Sequence, residues 1–197
     1  MNETRSYPRH IRSDAGDIEF RLMSRADEAA VLAFAQKLPS HDLLFLPRNI
    51  SQPKVLSAWI NEIERGAITS LLAVKGGEVV GCGTVVRDPY SWSPHVGEIR
   101  MVVSLDVRGA GVGRALSQET FALALAAGLE KMSVQMTVDQ QAAITLFEGL
   151  GFKAEALLRD HVRDVDGKTH DIVMLGHNVA QVRAQMEAYG LPGAVQS

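Results

Sequence analysis

The stretch VVSLDVRGAGVGRAL, Val102 to Leu116, decides the fold. A β-branched apolar run meets Arg108, then glycines at alternate positions Gly109, Gly111 and Gly113, then a segment of helical periodicity. Glycine is entropically costly to order, so three of them between a strand and a helix predict bare backbone brought close to a ligand. Successive N–H groups at a helix N-terminus attract anions, and the helix dipole adds partial positive charge there. Arg108 and Arg114 bracket the loop and add full charges. A pyrophosphate is the natural guest.

Two common phosphate motifs do not fit. A P-loop ends in Lys followed by Ser or Thr, and that pair is absent. A dinucleotide fingerprint needs a third small residue where Arg114 stands. The loop also follows several strands, whereas a dinucleotide loop belongs to the first crossover.

Outward from the loop, the pattern alternates strands and helices. Upstream, IEFRLM (Ile18 to Met23) reads as a strand, and Ser24 as the cap of a helix reaching about Leu38. Ser51 reads as the cap of a second helix with Pro53 in its first turn and Val55, Ala58, Trp59 and Ile63 as its apolar stripe. ITSLLAV and EVVGCGTVV form a hairpin about Gly76-Gly77, and VGEIRMVVSL (Val96 to Leu105) is a strand. Downstream of the loop, Val112, Ala115, Leu116, Ala122, Leu123 and Ala126 recur at helical spacing. KMSVQMTV is a strand, and a helix from about Gln140 stops at Gly149-Leu150-Gly151. Two strands then turn at Asp166-Gly167, and Asn178 caps a last helix ended by Gly190 and Pro192. The hairpins are antiparallel, but the strand–loop–helix–strand unit from Val96 to Val138 must be a parallel crossover. The expected fold is therefore α/β in the α+β sense: one mixed sheet of about seven strands flanked by helices, with an extra C-terminal helix. Residues 1–16 read as a flexible tail, 17–190 as one domain and 191–197 as a second tail.

Composition narrows the function. The 197 residues carry a net charge of −3, with no basic excess for nucleic acid or an anionic membrane. The longest apolar run, Phe121 to Leu129, is well short of the roughly 18 residues a membrane span needs. The N-terminus is polar and lacks the apolar core of a secretory signal. The single cysteine, Cys82, sits in a strand-like run and reads as a buried inert thiol in a reducing cytoplasm. His161 and His170 lack the ligand spacing of a metal site, so no metal is expected.

The segment Arg108-Gly109-Ala110-Gly111-Val112-Gly113 fits R/Q-x-x-G-x-G/A, which resembles the acyl-CoA loop of the GNAT superfamily of N-acetyltransferases. DQQAAITLFEGLGF (Asp139 to Phe152) resembles that family's strand–helix–GF segment, and the order of elements over about residues 17 to 177 looks like the whole fold. The resemblance implies acetyl-CoA as cosubstrate and an amine acceptor, small molecule or protein; it leaves a homodimer open. It implies that backbone groups of Met101, Val102 and Val103 meet the pantetheine arm. The loop from Arg108 and Gly109 through Ala110, Gly111, Val112 and Gly113 to Arg114 would take the pyrophosphate. Gln140 or Gln141 stands where many relatives have a cofactor-contacting asparagine, which makes Gln141 the candidate cofactor contact.

Acyl transfer needs a neutral amine and somewhere for its proton. A lysine of pKa about 10.4 is neutral roughly once in 2,500 molecules at pH 7, and an α-amine near 7.8 about once in seven. A base is worth more for the first. Glu98, a carboxylate in an otherwise apolar strand, is the candidate base; it reads equally as a surface glutamate paired with Arg100. His95 is the second choice. Many relatives carry a tyrosine where this chain has Phe147, so the usual proton donor to the leaving thiolate is missing. Phe147 then packs beside the thioester or in the core. Tyr90, Ser133 and Thr137 are other hydroxyl donors, and the charged residues around Asp166-Gly167 read first as a solvated hairpin face. The leading expectation is an acetyl-CoA-dependent N-acetyltransferase. A catalytically silent acyl-CoA-binding module and a nucleotide-binding regulatory domain are the alternatives.

Overall fold

The computed structural model describes residues 5–180. They form an eight-stranded sheet in the order β1-β2-β3-β4-β5-β6-β8-β7. The strands are β1 (Arg9–Ser13), β2 (Gly16–Leu22), β3 (Ile68–Lys75), β4 (Glu78–Arg87), β5 (Val96–Val103), β6 (Lys131–Thr137), β7 (Lys153–Arg163) and β8 (Thr169–Asn178). Four α-helices connect them: α1 (Glu28–Lys37), α2 (Pro53–Glu64), α3 (Val112–Ala126) and α4 (Gln141–Gly149). Every neighbouring pair is antiparallel except β5 and β6, which α3 joins as a parallel crossover. The mixed sheet is the expected architecture with one strand more.

The additional strand is β1, which lies where the sequence reads as a tail. Its own pattern is polar, so the strand is stabilised from outside. β2 supplies the ladder, Tyr7 and Ile11 pack on the core under α3, and Glu119 of α3 binds the Tyr7 hydroxyl at 2.9 Å and Arg5 at 2.9 Å. Glu119 is a buried carboxylate, and buried charge persists when it is paired and hydrogen-bonded.

Local signals mostly act as read. Gly76 and Gly77 both take positive φ, as a tight hairpin with a primed turn requires. Two details differ. Ser51 bonds Asn49 and Gln52 precedes the helix, because Pro53 occupies its first turn and needs no cap at its own nitrogen. The face of α2 is also rotated: Leu56 and Ile60 are fully buried, with Val55, Trp59 and Ile63 at the margin. The helix expected after Asn178 lies outside the described residues.

α1 and α2 cover one face of the sheet, with Leu72, Cys82 and Val102 beneath them. α3 and α4 cover the other, over Val85, Ile99, Met132 and Val134. A Cβ at Gly83 of β4 would overlap the Thr120 hydroxyl, so this glycine lets α3 lie close on the sheet. The N-terminus of α3 is thereby fixed at the end of β5.

Candidate active site

The parallel ladder between β5 and β6 is short. It pairs Val96–Ile99 with Lys131–Val134 and then stops, while β5 continues to Val103 and β6 to Thr137. The strands diverge beyond Ile99 and leave a gap in the middle of the sheet. Ser104 N–H donates to the Val80 carbonyl at 2.8 Å. By alternation the backbone groups of Val102 and Arg100 face β4, and those of Met101 and Val103 face the gap. The N–H and C=O groups of Met101 and Val103 are thus a strip of strand edge inside the sheet. An extended ligand with amide groups could occupy it as another strand would. Val102 is turned the other way: its backbone serves the β4 ladder and its side chain is buried under α1 and α2.

The glycine loop stands at the open end of this gap. A short 3₁₀ turn, Leu105–Val107, follows β5, and Gly109 and Gly111 take φ of +75° and +81°. That left-handed backbone is why the loop is glycine-rich. Gly111 precedes α3, whose first turn is closed by Ala115 N–H donating to the Gly111 carbonyl at 3.0 Å. The N–H groups of Val112, Gly113 and Arg114 have no carbonyl one turn back. A Cβ added at Gly109 or Gly111 meets no atom within 4 Å, so the space beside these two glycines is open. Gly113 lies inside α3 and has an ordinary helical φ. The exposed Arg114 follows it in the first turn.

Arg108 does not reach toward that open space. Its guanidinium donates to the Val103 carbonyl, Nη2 at 3.0 Å and Nε at 3.3 Å, and Nη2 also donates to Asp42 Oδ2 at 2.6 Å. Asp42 lies in the 3₁₀ turn Ser40–Leu43 between α1 and α2. The neighbouring His41 sets its Nε2 at 2.8 Å from Asp139 Oδ2 and 3.5 Å from Thr137 Oγ1. The His41 ring meets the His170 ring edge-on at 5.0 Å, and His170 Nε2 lies 2.6 Å from Asp164 Oδ2. His170 holds the Asp164 carboxyl below the usual carboxylate range. Asp139 is lowered as well: burial raises it, but hydrogen bonds from Thr137 and its own backbone, with His41 beside it, outweigh the burial. Sequence reading assigned no role to His41 or Asp42, and marked Asp139 only as the start of the segment that resembles the family's strand–helix–GF stretch. Their spacing carries no signal, because Asp42 pairs with Arg108 across 66 residues and His41 pairs with Asp139 from a segment still farther along the chain.

The remaining sequence candidates fall into two groups. Glu98 and Ser133 are brought together across the last part of the β5–β6 ladder, beside the point where the gap opens. Glu98 is held by Arg100 in a two-pronged pair, Nε to Oε1 and Nη2 to Oε2, each 2.8 Å, with both side chains about four-fifths buried. Thr84, Trp59, Leu46 and Ile50 line a small cavity beside Arg100 on the same face. The other candidates lie in the core, in the β6–α4 loop and in the β4–β5 connection. Phe147 is in the core under α4, its ring edge-on to Phe152 at 5.2 Å. Gln141 bonds back to the Val138 carbonyl, and Gln140 accepts from Thr137 N–H at 3.3 Å. Both glutamines serve the β6–α4 loop. Tyr90 is fully exposed in the β4–β5 connection, at the end of β5 away from the glycine loop. His95 uses its carbonyl to hold Glu130 and Lys131. Cys82 is buried and its thiol pushed up to about 12, which leaves it protonated and inert.

Comparison with known proteins fits this geometry. Residues 37–152, more than half of the chain, match the family model described as "Acetyltransferase (GNAT) family". Among curated proteins, N-acetyltransferase 8F1 of Mus musculus is 32% identical over 84 residues, 42% of this chain and 38% of that protein. A second mouse protein, N-acetyltransferase family 8 member 5, is 36% identical over 84 residues, 42% of this chain and 37% of its own length. The chain thus matches less than two-fifths of the length of these relatives. Among solved structures, a GNAT-family acetyltransferase from Streptococcus pneumoniae superimposes with a TM-score of 0.71 at 21% identity, covering 82% of this chain and 99% of that one. A Salmonella typhimurium protein described as an acetyltransferase, solved with its cofactor acetyl-CoA, gives 0.70 at 19% identity, covering 82% and 94%. At these identities the structures speak to the fold. Among the described residues no helix is long and apolar enough to cross a membrane.

Proposed function

The chain belongs to the GNAT acetyltransferase family, and from that premise we propose that it moves an acetyl group from acetyl-CoA to a primary amine. The observation that carries this reading is the gap between β5 and β6, with the unpaired edge of Met101 and Val103 leading to the first-turn amides of α3. A cosubstrate with an anionic pyrophosphate and an extended two-amide arm matches both parts. The amides of Val112, Gly113 and Arg114 would hold the pyrophosphate, with the Arg114 charge adding to the helix dipole. Met101 and Val103 would exchange hydrogen bonds with the arm. The thioester would then lie where the strands part, beside Glu98, Arg100 and Ser133.

Acetyl-CoA supplies an activated acyl carbon and a thiol of pKa near 8.5, about acidic enough to leave as the anion without a dedicated acid. Phe147 can donate no proton, so the chain relies on that acidity and on water. Glu98 receives the amine's proton through water. Its two-pronged pair with Arg100 fixes the carboxylate's direction. The α1–α2 face, where Glu98 and Arg100 project, is the side from which the acceptor approaches. A protein lysine, a protein N-terminus and a small amine all satisfy this chemistry. A reducing compartment such as the cytoplasm suits the one buried thiol.

The test is release of CoA thiol from acetyl-CoA in the presence of a panel of amines, with CoA binding measured in parallel. Release that depends on an amine supports the transferase. Tight CoA binding with no release from any amine points to the silent binding module, which the missing tyrosine at Phe147 favours.

A further inference from the structure

We propose that the Ser40–Leu43 turn is a clasp across the mouth of the β5–β6 gap, and that Asp42 holds it shut by keeping Arg108 on the Val103 carbonyl. The proposal rests on the acyl-CoA reading of the gap and deepens it.

Two consecutive residues reach opposite banks. His41 is tied to Asp139 at 2.8 Å, just beyond the end of β6. Asp42 is tied to Arg108 at 2.6 Å, just beyond the end of β5. These are the diverging ends of the two strands, so the turn bridges the opening through which an extended arm would pass. Leu43 anchors the turn in the core under α1 and α2, so the clasp can unhook its side chains while its base stays packed.

The same Arg108 nitrogen that binds Asp42 also donates to the Val103 carbonyl at 3.0 Å. That carbonyl belongs to the strand edge an amide-bearing arm needs. Arm and guanidinium therefore compete for one acceptor. Asp42 biases the competition: its side chain is only 17% exposed, so it is a partly desolvated partner for the guanidinium. A site that must first open binds with an affinity reduced by the fraction closed. Asp42 is a positioning residue here; it touches neither the acyl carbon nor the amine.

The experiment titrates CoA, and separately adenosine 3′,5′-bisphosphate, into the wild-type chain and Asp42→Asn. The second ligand carries phosphates and no pantetheine arm. Loss of one ion pair of this exposure should tighten CoA binding roughly fivefold, mainly through faster association. The bisphosphate should change by less than about twofold, the scale of a removed surface charge. Equal tightening of both ligands overturns the clasp, since it reports only the loss of negative charge near an anion. Unchanged or weaker CoA binding by folded Asp42→Asn overturns it too. Should Asp42→Asn fail to fold, His41→Gln releases the other bank and is judged by the same criterion. A wild-type chain that binds no CoA overturns the acyl-CoA reading and the clasp with it; equal CoA binding by wild type and variant overturns the clasp alone.

Discussion

Gly111→Ala separates backbone strain from ligand binding. Gly111 has φ of +81°, and an alanine there must adopt the left-handed conformation at a cost of about 1–2 kcal/mol. No clash adds to this, because the new Cβ meets nothing within 4 Å. Gly167 in the β7–β8 turn is a matched control, with φ of +83° and equally open space. Both variants should lose about 1–2 kcal/mol in denaturant melts. Only Gly111→Ala should lose CoA. Its methyl would stand in the open space of the loop that leads into α3, where the proposed phosphate lies, and a hydrogen bond to a charged phosphate contributes about 1.5–3 kcal/mol. Losing one such bond weakens CoA about tenfold to hundredfold. Calorimetric titration of CoA into wild type, Gly111→Ala and Gly167→Ala is the assay. A folded Gly111→Ala that binds CoA as tightly as Gly167→Ala does would refute the phosphate site.

Glu98→Gln should lower kcat by about 10² to 10⁴, the span of a lost general base, with CoA affinity unchanged and the deficit shrinking from pH 6.5 to 9.5 as the amine deprotonates unaided. A variant within about twofold of wild type across that range leaves Glu98 as the anchor of Arg100 and no more. Phe147→Tyr puts a hydroxyl into the core beside Phe152 and should cost about 1–3 kcal/mol of stability without raising the rate; undiminished stability would show that the hydroxyl has found a partner at the gap. His177 is half-buried against Phe121 and Phe152, and burial lowers its pKa below the ordinary 6.5. Below that pH the unfolded chain binds a proton that the folded chain resists, so stability is full above about pH 6.5 and falls as pH drops toward 5. The melting temperature of His177→Phe should be flatter over that interval, and identical slopes in the two proteins would contradict the assignment.

Much of the architecture was legible because it is carried by local signals. The alternate glycines after Arg108 announce left-handed turns and exposed amides, whatever the rest of the chain does, and Gly109 and Gly111 take those conformations. The glycine pair at 76–77 and the periodic run after Gly111 likewise act within a few residues, and so the crossover and the mixed sheet could be derived. β1 could not, since a polar five-residue strand is ordered by β2 and by Glu119 more than a hundred residues away. Alternation along β5 is visible in sequence, but which of Met101, Val102 and Val103 faces the gap depends on the register with β4. The same limit applied to the charged residues. The sequence offered Glu98 both as a base and as a partner of Arg100, and only the packed sheet brings the two into a two-pronged pair. It placed Arg108 at the phosphate loop, and only the tertiary structure turns that guanidinium back to Val103 and Asp42. Backbone conformation is set by each residue and its neighbours, whereas a side chain's partner is set by which distant segments the core brings within 3 Å.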